Sequence, residues 1–199
     1  MATGLTREQV LSIFRGANAL QRGHFELASG QHSGHYFQCA QFLQHPKLAA
    51  RVCKELARRF APHKPTVVVG PAIGGIIVSY EMARALDVRA NYAERVDAEM
   101  QLRRGFSVGK HDRVVIVEDV ITTGESARKV AELVEGCGAK VLGIGAVVDR
   151  SGGMVKFKGR KYEKLLVLDF ENFRPHDCPL CKERVPLTHP GGLRRKSVI

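Results

Sequence analysis

Two adjacent carboxylates, Glu118 and Asp119, lie between a short apolar run and a loop of hydroxyl residues. Residues 114–117 predict a strand buried on both faces, and residues 127–137 resume with helical spacing. The loop 122–126 therefore precedes a helix, whose first N–H groups are unpaired and suit a phosphate monoester. At the carboxyl end of the strand, the two carboxylates are placed to accept ribose hydroxyls or to hold a divalent cation through its waters.

The composition of this loop favours a phosphate site. Gly124 lets the chain approach a ligand closely, and the hydroxyls of Thr122, Thr123 and Ser126 donate hydrogen bonds. The alternative is a strand end and a helix cap without a ligand. Neither a Walker-type loop nor a Gly-x-Gly-x-x-Gly fingerprint occurs. An acidic pair before such a loop resembles the signature of the type I phosphoribosyltransferases, which bind 5-phosphoribosyl 1-diphosphate (PRPP) and displace its pyrophosphate with a nitrogenous base.

Two further strand ends carry unusual residues. The glycine-rich turn 70–75 follows a predicted strand at 66–69 and presents N–H donors suited to a pyrophosphate, or its glycines serve tight turning alone. Arg150 directly follows the apolar run 141–148. It either pairs with a local carboxylate such as Asp149 or is offered to a planar ligand with carboxylate or carbonyl oxygens.

The segment 94–105, called the flap below, connects two predicted strands and is neither clearly apolar nor turn-like. We interpret it as a flexible loop over the site. Arg95, Arg103 and Arg104 are either ordinary surface charges or the cations that a flap needs when it closes over a polyanion.

Length and composition predict one enzyme domain over residues 1–199. The chain is 44% hydrophobic, no apolar run approaches the roughly 20 residues of a membrane span, and the N-terminus does not resemble a signal peptide. Five cysteines without a regular framework favour free thiols in a reducing compartment, so we expect a cytoplasmic protein. The net charge of +11 suits polyanionic small substrates, and no nucleic-acid-binding motif accompanies the basic residues, including those at 194–196.

Strand and helix patterns alternate along the chain. Thr6 and Gln9 predict a capping box before a first helix, and a second helix follows Pro46. The alternation predicts an α/β fold, a parallel sheet flanked by helices on both faces, with ligands at the carboxyl ends of the strands.

The segment 23–33, Gly-His-Phe-Glu-Leu-Ala-Ser-Gly-Gln-His-Ser, looks like the hood motif of the orotate phosphoribosyltransferases, which purine-type relatives lack. This resemblance covers nearly the whole chain. It implies a type I phosphoribosyltransferase fold with a small N-terminal hood at about residues 1–45, completed by part of the C-terminal segment, a core at about 46–170 and a tail at 171–199.

The resemblance also implies roles for individual residues. Arg95 and Asp119 are the expected catalytic residues, and orotate would contact Thr122, Arg150, Tyr36 and Phe37. Mg²⁺ is expected near Glu118 and Asp119, held mainly by PRPP and water rather than directly by side chains. The expected PRPP-binding residues are Pro71, Ala72, Gly74, Arg95, Arg103, Arg104, Glu118, Asp119, Val120, Ile121, Thr122, Thr123, Gly124, Glu125 and Ser126.

The resemblance further implies a homodimer with a shared active site, in which the flap reaches the neighbouring subunit. The chain departs from the family pattern in four places. The acidic pair is Glu-Asp where Asp-Asp is common, Ala28 and Gly74 stand where many members have lysine, and the flap lacks a Lys-x-His spacing. We therefore expect arginines of the flap to neutralise the pyrophosphate.

The expected reaction is transfer of the 5-phosphoribosyl group from PRPP to orotate, which gives orotidine 5′-phosphate and pyrophosphate in pyrimidine biosynthesis. Two alternatives stay open. One is a purine-type transferase, which the hood motif and Arg150 disfavour. The other is a regulator that senses PRPP on the same fold and binds nucleic acid through its basic surface.

Cys178 and Cys181 form a Cys-x-x-Cys motif two residues after His176, which invites a zinc interpretation. No second cysteine pair exists, so a four-ligand site requires a spatial meeting that the sequence does not predict. We interpret the two cysteines as thiols that pack a C-terminal loop, with zinc or redox activity as alternatives. The last dozen residues are expected to be extended or loosely ordered.

Overall fold

The structure is a computed structural model and describes residues 4–190. The expectations for the basic cluster 194–196 and for the last nine residues lie outside this range. The first helix, α1 (Arg7–Gly16), begins with the predicted capping box, in which the Thr6 hydroxyl accepts from the Gln9 N–H and the Gln9 side chain accepts from the Thr6 N–H. None of the helices within residues 4–190 combines the length and apolar character that a bilayer span requires.

The remaining helices are α2 (Ala40–Leu43), α3 (Pro46–Phe60), α4 (Gly74–Leu86), α5 (Glu125–Gly136) and α6 (Pro179–Lys182). The strands are β1 (Leu20–Glu26), β2 (His32–Phe37), β3 (Val67–Pro71), β4 (Arg89–Val96), β5 (Glu99–Leu102), β6 (Arg113–Ile121), β7 (Lys140–Asp149), β8 (Lys161–Val167) and β9 (Asn172–Phe173).

Six strands form the main sheet in the order β5-β4-β3-β6-β7-β8, and only β5 is antiparallel to its neighbour. The central strand β6 shows that both faces are covered. Val115 and Val117 pack in a core cluster with α1, α3 and α4, whereas Val114 and Ile116 pack in a second cluster with α5. The predicted α/β class, with a parallel sheet between two helical layers, is confirmed.

The first half of the flap is more regular than its sequence indicates. It forms an antiparallel hairpin, β4–β5, that turns at Asp97 and Ala98, both with positive φ. Met100 on β5 is buried in the same cluster as α5, and the Ala98 carbonyl accepts from the Lys129 ammonium at 3.0 Å. One apolar side chain therefore anchors a segment whose sequence does not alternate clearly.

A second, three-stranded antiparallel sheet has the order β1-β2-β9 and draws its strands from both ends of the described chain. It contains the motif 23–33, which runs through β1, a turn and the start of β2. The register of β1 shifts between Arg22 and Phe25, so the regular alternation of a strand is interrupted there. This interruption explains why the sequence indicated a hood motif without indicating its strands.

Candidate active site

The acidic pair lies at the carboxyl end of β6, where the strand leaves the core. Glu118 is buried and Asp119 half-buried. Desolvation and the neighbouring Asp119 charge raise the pKa of Glu118 to about 8, although a hydrogen bond from Ser126 opposes the shift. Burial also raises the pKa of Asp119. Within residues 4–190 no cationic side chain pairs with either carboxylate, so this is a desolvated acidic site that favours a cation.

Two residues that sequence reasoning did not connect to Asp119 surround its carboxylate. The buried Cys39 thiol lies close enough to interact with it, and burial, followed by the Asp119 charge, raises the pKa of that thiol. A Cβ atom at Gly74 would collide with the Asp119 carboxylate. The lysine that many family members carry at this turn therefore has no room here while Asp119 keeps this position.

The phosphate loop, residues 122–126, joins β6 to α5. Gly124 caps the helix with φ 73°, and a Cβ atom there would lie 2.9 Å from the side chains of Val155 and Phe157. Thr122 and Thr123 are exposed, and Thr123 Oγ1 accepts from the Glu125 N–H at 3.3 Å. The loop leads directly into the first turn of α5, where helix N–H groups suit an anion, and phosphate binding there stays a prediction.

The glycine-rich turn, residues 70–75, links β3 to α4. A Cβ atom at Gly70 would collide with the backbone of Gly75, and one at Gly75 would lie 2.9 Å from Pro71 Cδ, so both glycines are needed for close packing of the turn. The Ala72–Ile73 peptide is cis. Since β3 and β6 are parallel neighbours, the start of α4 lies beside Asp119 and offers its unpaired N–H groups to the same space.

Arg150 follows β7 and remains open to a ligand. The adjacent Asp149 is occupied by Ser151, which donates through its N–H at 2.8 Å and its hydroxyl at 2.6 Å, and by the Lys164 ammonium at 3.3 Å. Within residues 4–190 no carboxylate lies within ion-pair distance of the Arg150 guanidinium, which lies 5.8 Å from the centre of the Phe170 ring. Desolvation lowers its pKa. Of the two interpretations of Arg150, the open guanidinium fits the structure.

Tyr36 and Phe37 point to opposite sides of β2, as neighbours on a strand do. Phe37 is buried in the core, with its ring centre 5.2 Å from that of Phe14. Tyr36 is half-buried and close enough to Arg150 to influence its pKa. The structure therefore places Tyr36 near Arg150, whereas Phe37 packs in the core; the orotate contacts of both residues stay predictions.

The three arginines of the flap lie in different surroundings. Arg104 binds Glu94 through two nitrogens at 3.0 and 3.2 Å, which lowers the pKa of that carboxyl. Arg95 lies 3.7 Å from Glu125 in the first turn of α5, beside the phosphate loop. Arg103 is exposed and makes no ion pair within the described residues. Arg95 and Arg103 are thus better placed to meet a polyanion than Arg104, whose charge is shared.

Comparison with known proteins agrees with this geometry. The family described as "Phosphoribosyl transferase domain" matches residues 38–172, a span that contains the acidic pair, the phosphate loop and the glycine-rich turn. This match defines the class of protein, a transferase built on a phosphoribosyl transferase domain.

Relatives and a solved structure narrow the class. Orotate phosphoribosyltransferase from Pelotomaculum thermopropionicum is 51% identical over 96% of this chain and its own full length, and the one from Caldanaerobacter subterraneus subsp. tengcongensis is 47% identical over the same shares. The chain belongs to the orotate phosphoribosyltransferase family. Crystalline orotate phosphoribosyltransferase from Mycobacterium tuberculosis H37Rv shares the fold, with a TM-score of 0.68 at 24% identity over 81% of this chain and 96% of that one. The predicted family and its pentosyltransferase class are confirmed.

Proposed function

We propose that the end of β6 binds PRPP, that Arg150 and Tyr36 hold orotate, and that the chain transfers the 5-phosphoribosyl group between them. The products are orotidine 5′-phosphate and pyrophosphate. The observation that carries this proposal is that one strand-to-helix junction combines a place for a cation with a place for an anion. A buried acidic pair lacks a cation within residues 4–190, and the helix N-terminus directly after it suits an anion.

The 5-phosphate of PRPP fits the phosphate loop. Its charge would meet the first N–H groups of α5 and the hydroxyls of Thr122, Thr123 and Ser126, while Gly124 keeps the backbone accessible. In the described conformation, the Glu125 carboxylate binds the Lys129 ammonium at 3.2 Å. Its side chain therefore does not contribute to the proposed phosphate site. The ribose hydroxyls would then reach Glu118 and Asp119 at the end of the strand.

Mg²⁺ fits the acidic pair. This ion prefers oxygen ligands, keeps several waters and commonly binds through one or two carboxylates together with substrate phosphates. Glu118 and Asp119 offer such oxygens, and the burial that raises the pKa of both carboxyls supports a cation beside them. When bound, Mg²⁺ would neutralise charge on the pyrophosphate and orient the ribose.

Orotate is planar and carries a carboxylate beside carbonyl oxygens, which matches the fork of an arginine. Arg150 has no carboxylate partner within the described residues and lies near Tyr36 and over Phe170. A purine offers no carboxylate, so the same guanidinium would favour orotate over hypoxanthine or adenine. Thr122, at the start of the phosphate loop, is the remaining predicted contact.

In the proposed reaction, the bond between the anomeric carbon and pyrophosphate oxygen breaks, and a nitrogen of orotate bonds to that carbon. Asp119 would stabilise the positive charge that grows on the sugar, and Arg95 and Arg103 would stabilise the departing pyrophosphate. The charge of orotate at neutral pH is on its carboxylate, so the attacking ring nitrogen loses its proton as the new bond forms. The departing pyrophosphate, which is an anion, would accept that proton. Position and electrostatics are the contribution of the protein.

A homodimer is proposed from the exposed face of α4 as well as from family membership. Ile73, Ile77 and Tyr80 follow one another at helical spacing and are 85%, 43% and 62% exposed. An apolar stripe of this kind is typical of a surface that a second copy covers. Sedimentation analysis should find a dimer for the wild type and a monomer for Ile77→Glu; a wild-type monomer would contradict the proposal.

We also propose a cytoplasmic enzyme that does not depend on nucleic acid. None of the five cysteines, all of which lie within the described residues, forms a disulfide, as a reducing compartment favours. The excess of basic over acidic residues suits the binding of a polyanionic substrate such as PRPP.

The direct test is the change in absorbance of orotate on mixing with protein, PRPP and Mg²⁺, with hypoxanthine, adenine and uracil in parallel. Consumption of orotate alone is expected. Consumption of a purine would favour the purine-type alternative. Binding of PRPP without turnover of any base, together with salt-dependent binding of nucleic acid, would favour the PRPP-sensing regulator.

A further inference from the structure

Four metal-binding side chains meet where the three-stranded sheet contacts the C-terminal segment. His24 lies on β1, His32 at the start of β2, Cys178 at the N-cap of α6 and Cys181 within α6. One ligand atom from each lies within 4.8 Å of the other three. The two histidines and Cys178 are buried. The second ligand pair that the Cys-x-x-Cys motif lacks in sequence is therefore supplied by the hood.

The separations match a tetrahedral zinc site. Zinc with bonds of about 2.3 Å to sulfur and about 2.0 Å to nitrogen separates its ligand atoms by about 3.3–3.8 Å. His24 Nε2 lies 3.0 Å from His32 Nδ1, 3.5 Å from the Cys178 sulfur and 3.7 Å from the Cys181 sulfur. The Cys181 sulfur lies 3.2 Å from His32 Nδ1. Two of these separations lie within that range and two are slightly shorter, and all four atoms lie within 4.8 Å of one another, close to the spacing of a common coordination shell.

Hydrogen bonding does not account for this convergence. His24 Nδ1 lies 2.8 Å from the Val185 carbonyl oxygen, which only accepts, so Nδ1 carries the hydrogen and Nε2 has one lone pair. Three atoms approach that single lone pair within hydrogen-bonding distance. A carbonyl on the far ring nitrogen is also the arrangement that orients histidines in metal sites.

The C-terminal segment needs such a fastening, because it has little core of its own. Helix α6 has no buried residue, and Cys178 is the only buried residue between 171 and 190. The other attachments to β1 are polar. The Thr188 N–H and hydroxyl donate to the His24 carbonyl at 2.9 and 2.7 Å, the Thr188 carbonyl accepts from the Glu26 N–H at 2.9 Å, and His189 lies 2.9 Å from the Glu26 carboxylate. Small segments that cannot bury apolar surface are commonly stabilised by structural metals.

We propose that His24, His32, Cys178 and Cys181 bind one structural zinc ion, which fastens the C-terminal segment to the hood. Four protein ligands leave no open coordination position, so the ion serves folding rather than the transfer reaction. Two thiolates and two imidazoles favour zinc over Mg²⁺, which prefers oxygen ligands. Strand β2 carries His32 at one end and Tyr36 towards the other, so the site also steadies the strand that faces Arg150.

The test is the metal content of the full chain, purified with a non-chelating reductant from zinc-supplemented cells. Elemental analysis should find one zinc per chain, and replacement by Co²⁺ should give the strong visible absorption of a tetrahedral cobalt–thiolate site. Cys178→Ser and His32→Ala should each lose nearly all of the zinc. The matched controls Cys137→Ser and His176→Ala change exposed residues outside the cluster and should keep it.

Three results would overturn the proposal. The first is wild-type protein without zinc that also gives no tetrahedral cobalt spectrum. The second is a Cys178–Cys181 disulfide, shown by mass spectrometry, in reductant-treated protein. The third is zinc that persists in folded His32→Ala but is lost in His176→Ala. The wild-type measurements decide the matter even if a cluster variant fails to fold.

Discussion

The acidic end of β6 and the His-Cys cluster of the hood are stabilised in opposite ways. Glu118 and Asp119 follow a run of fully buried apolar residues, 114–117, so the core holds two carboxylates in a position that opposes their ionisation. The tail, by contrast, buries only Cys178 between residues 171 and 190 and depends on a few polar contacts at its end. At the end of β6, the stable core holds a ligand site in place. In the C-terminal segment, the proposed zinc ion supplies the stability that the segment lacks. Changes in the two regions should therefore have different signatures.

The largest expected effect is on orotate recognition. Arg150→Ala removes the only guanidinium placed over Phe170 in the described residues, so kcat/KM for orotate should fall by about 100-fold or more, as expected for loss of a bidentate charged contact. Steady-state kinetics with varied orotate measures the change. The control Arg51→Ala alters an exposed arginine on α3 and should leave kcat/KM unchanged. Equal losses in both variants would contradict the proposed orotate site.

A smaller loss is expected when the fit between the glycine-rich turn and the acidic pair is disturbed. Gly74→Ala places a methyl group against the Asp119 carboxylate and should lower kcat by about 10- to 100-fold, since small displacements of catalytic groups have effects of this size. Gly109→Ala is the control, because its Cβ would meet no atom within 4 Å. Unchanged turnover in Gly74→Ala would show that Asp119 can move without consequence.

Removal of the proposed zinc should affect the hood more than the PRPP site. Chelation should lower the melting temperature and raise the KM for orotate several-fold, because β2 carries Tyr36, while the KM for PRPP changes less. Calorimetry and kinetics before and after chelation, with zinc added back as the control, measure both effects. A larger rise in the KM for PRPP would contradict the division between the two regions.

The smallest expected effect is on stability and its pH dependence. The pKa of Glu118 is raised from 4.5 to about 8. Between these two pH values, the folded state keeps a proton on Glu118 that the unfolded state has lost. Stability should therefore fall as pH rises from about 4.5 to about 8. Glu118→Gln removes this dependence and should stabilise the free protein by about 1–4 kcal/mol near pH 8, with little change near pH 4.5.

Urea unfolding at both pH values measures this difference. The exposed Glu132→Gln serves as the control and should follow the wild type at each pH. A wild type that becomes more stable as pH rises through this window would show that Glu118 is not held in its protonated form.

The sequence was most informative where the functional residues are contiguous. Strand, acidic pair and phosphate loop follow one another between 114 and 126, so their spacing alone predicts a strand-to-helix ligand site. The parallel sheet follows from the same alternation. Antiparallel β5 was missed, because the segment 99–102 is short and only Met100 is buried within it.

Contacts between distant segments could not be predicted in this way. Cys39 lies close to Asp119, and His24 and His32 lie close to Cys178 and Cys181, although long stretches of chain separate the partners. No local spacing in the sequence encodes such contacts. Gly74 is a further example. The sequence shows a glycine where many family members have lysine, and only the structure gives the reason, because a side chain there would collide with Asp119.

The most direct test of the central claim is equilibrium binding of PRPP, with Mg²⁺ present, to the wild type and to two single variants, Asp119→Asn and Arg150→Ala. The account predicts that Asp119→Asn weakens PRPP binding strongly while Arg150→Ala binds PRPP as the wild type does, because the acidic pair holds the sugar and Arg150 holds the base. Equal weakening in both variants, or none in Asp119→Asn, would contradict the division of the site between β6 and Arg150.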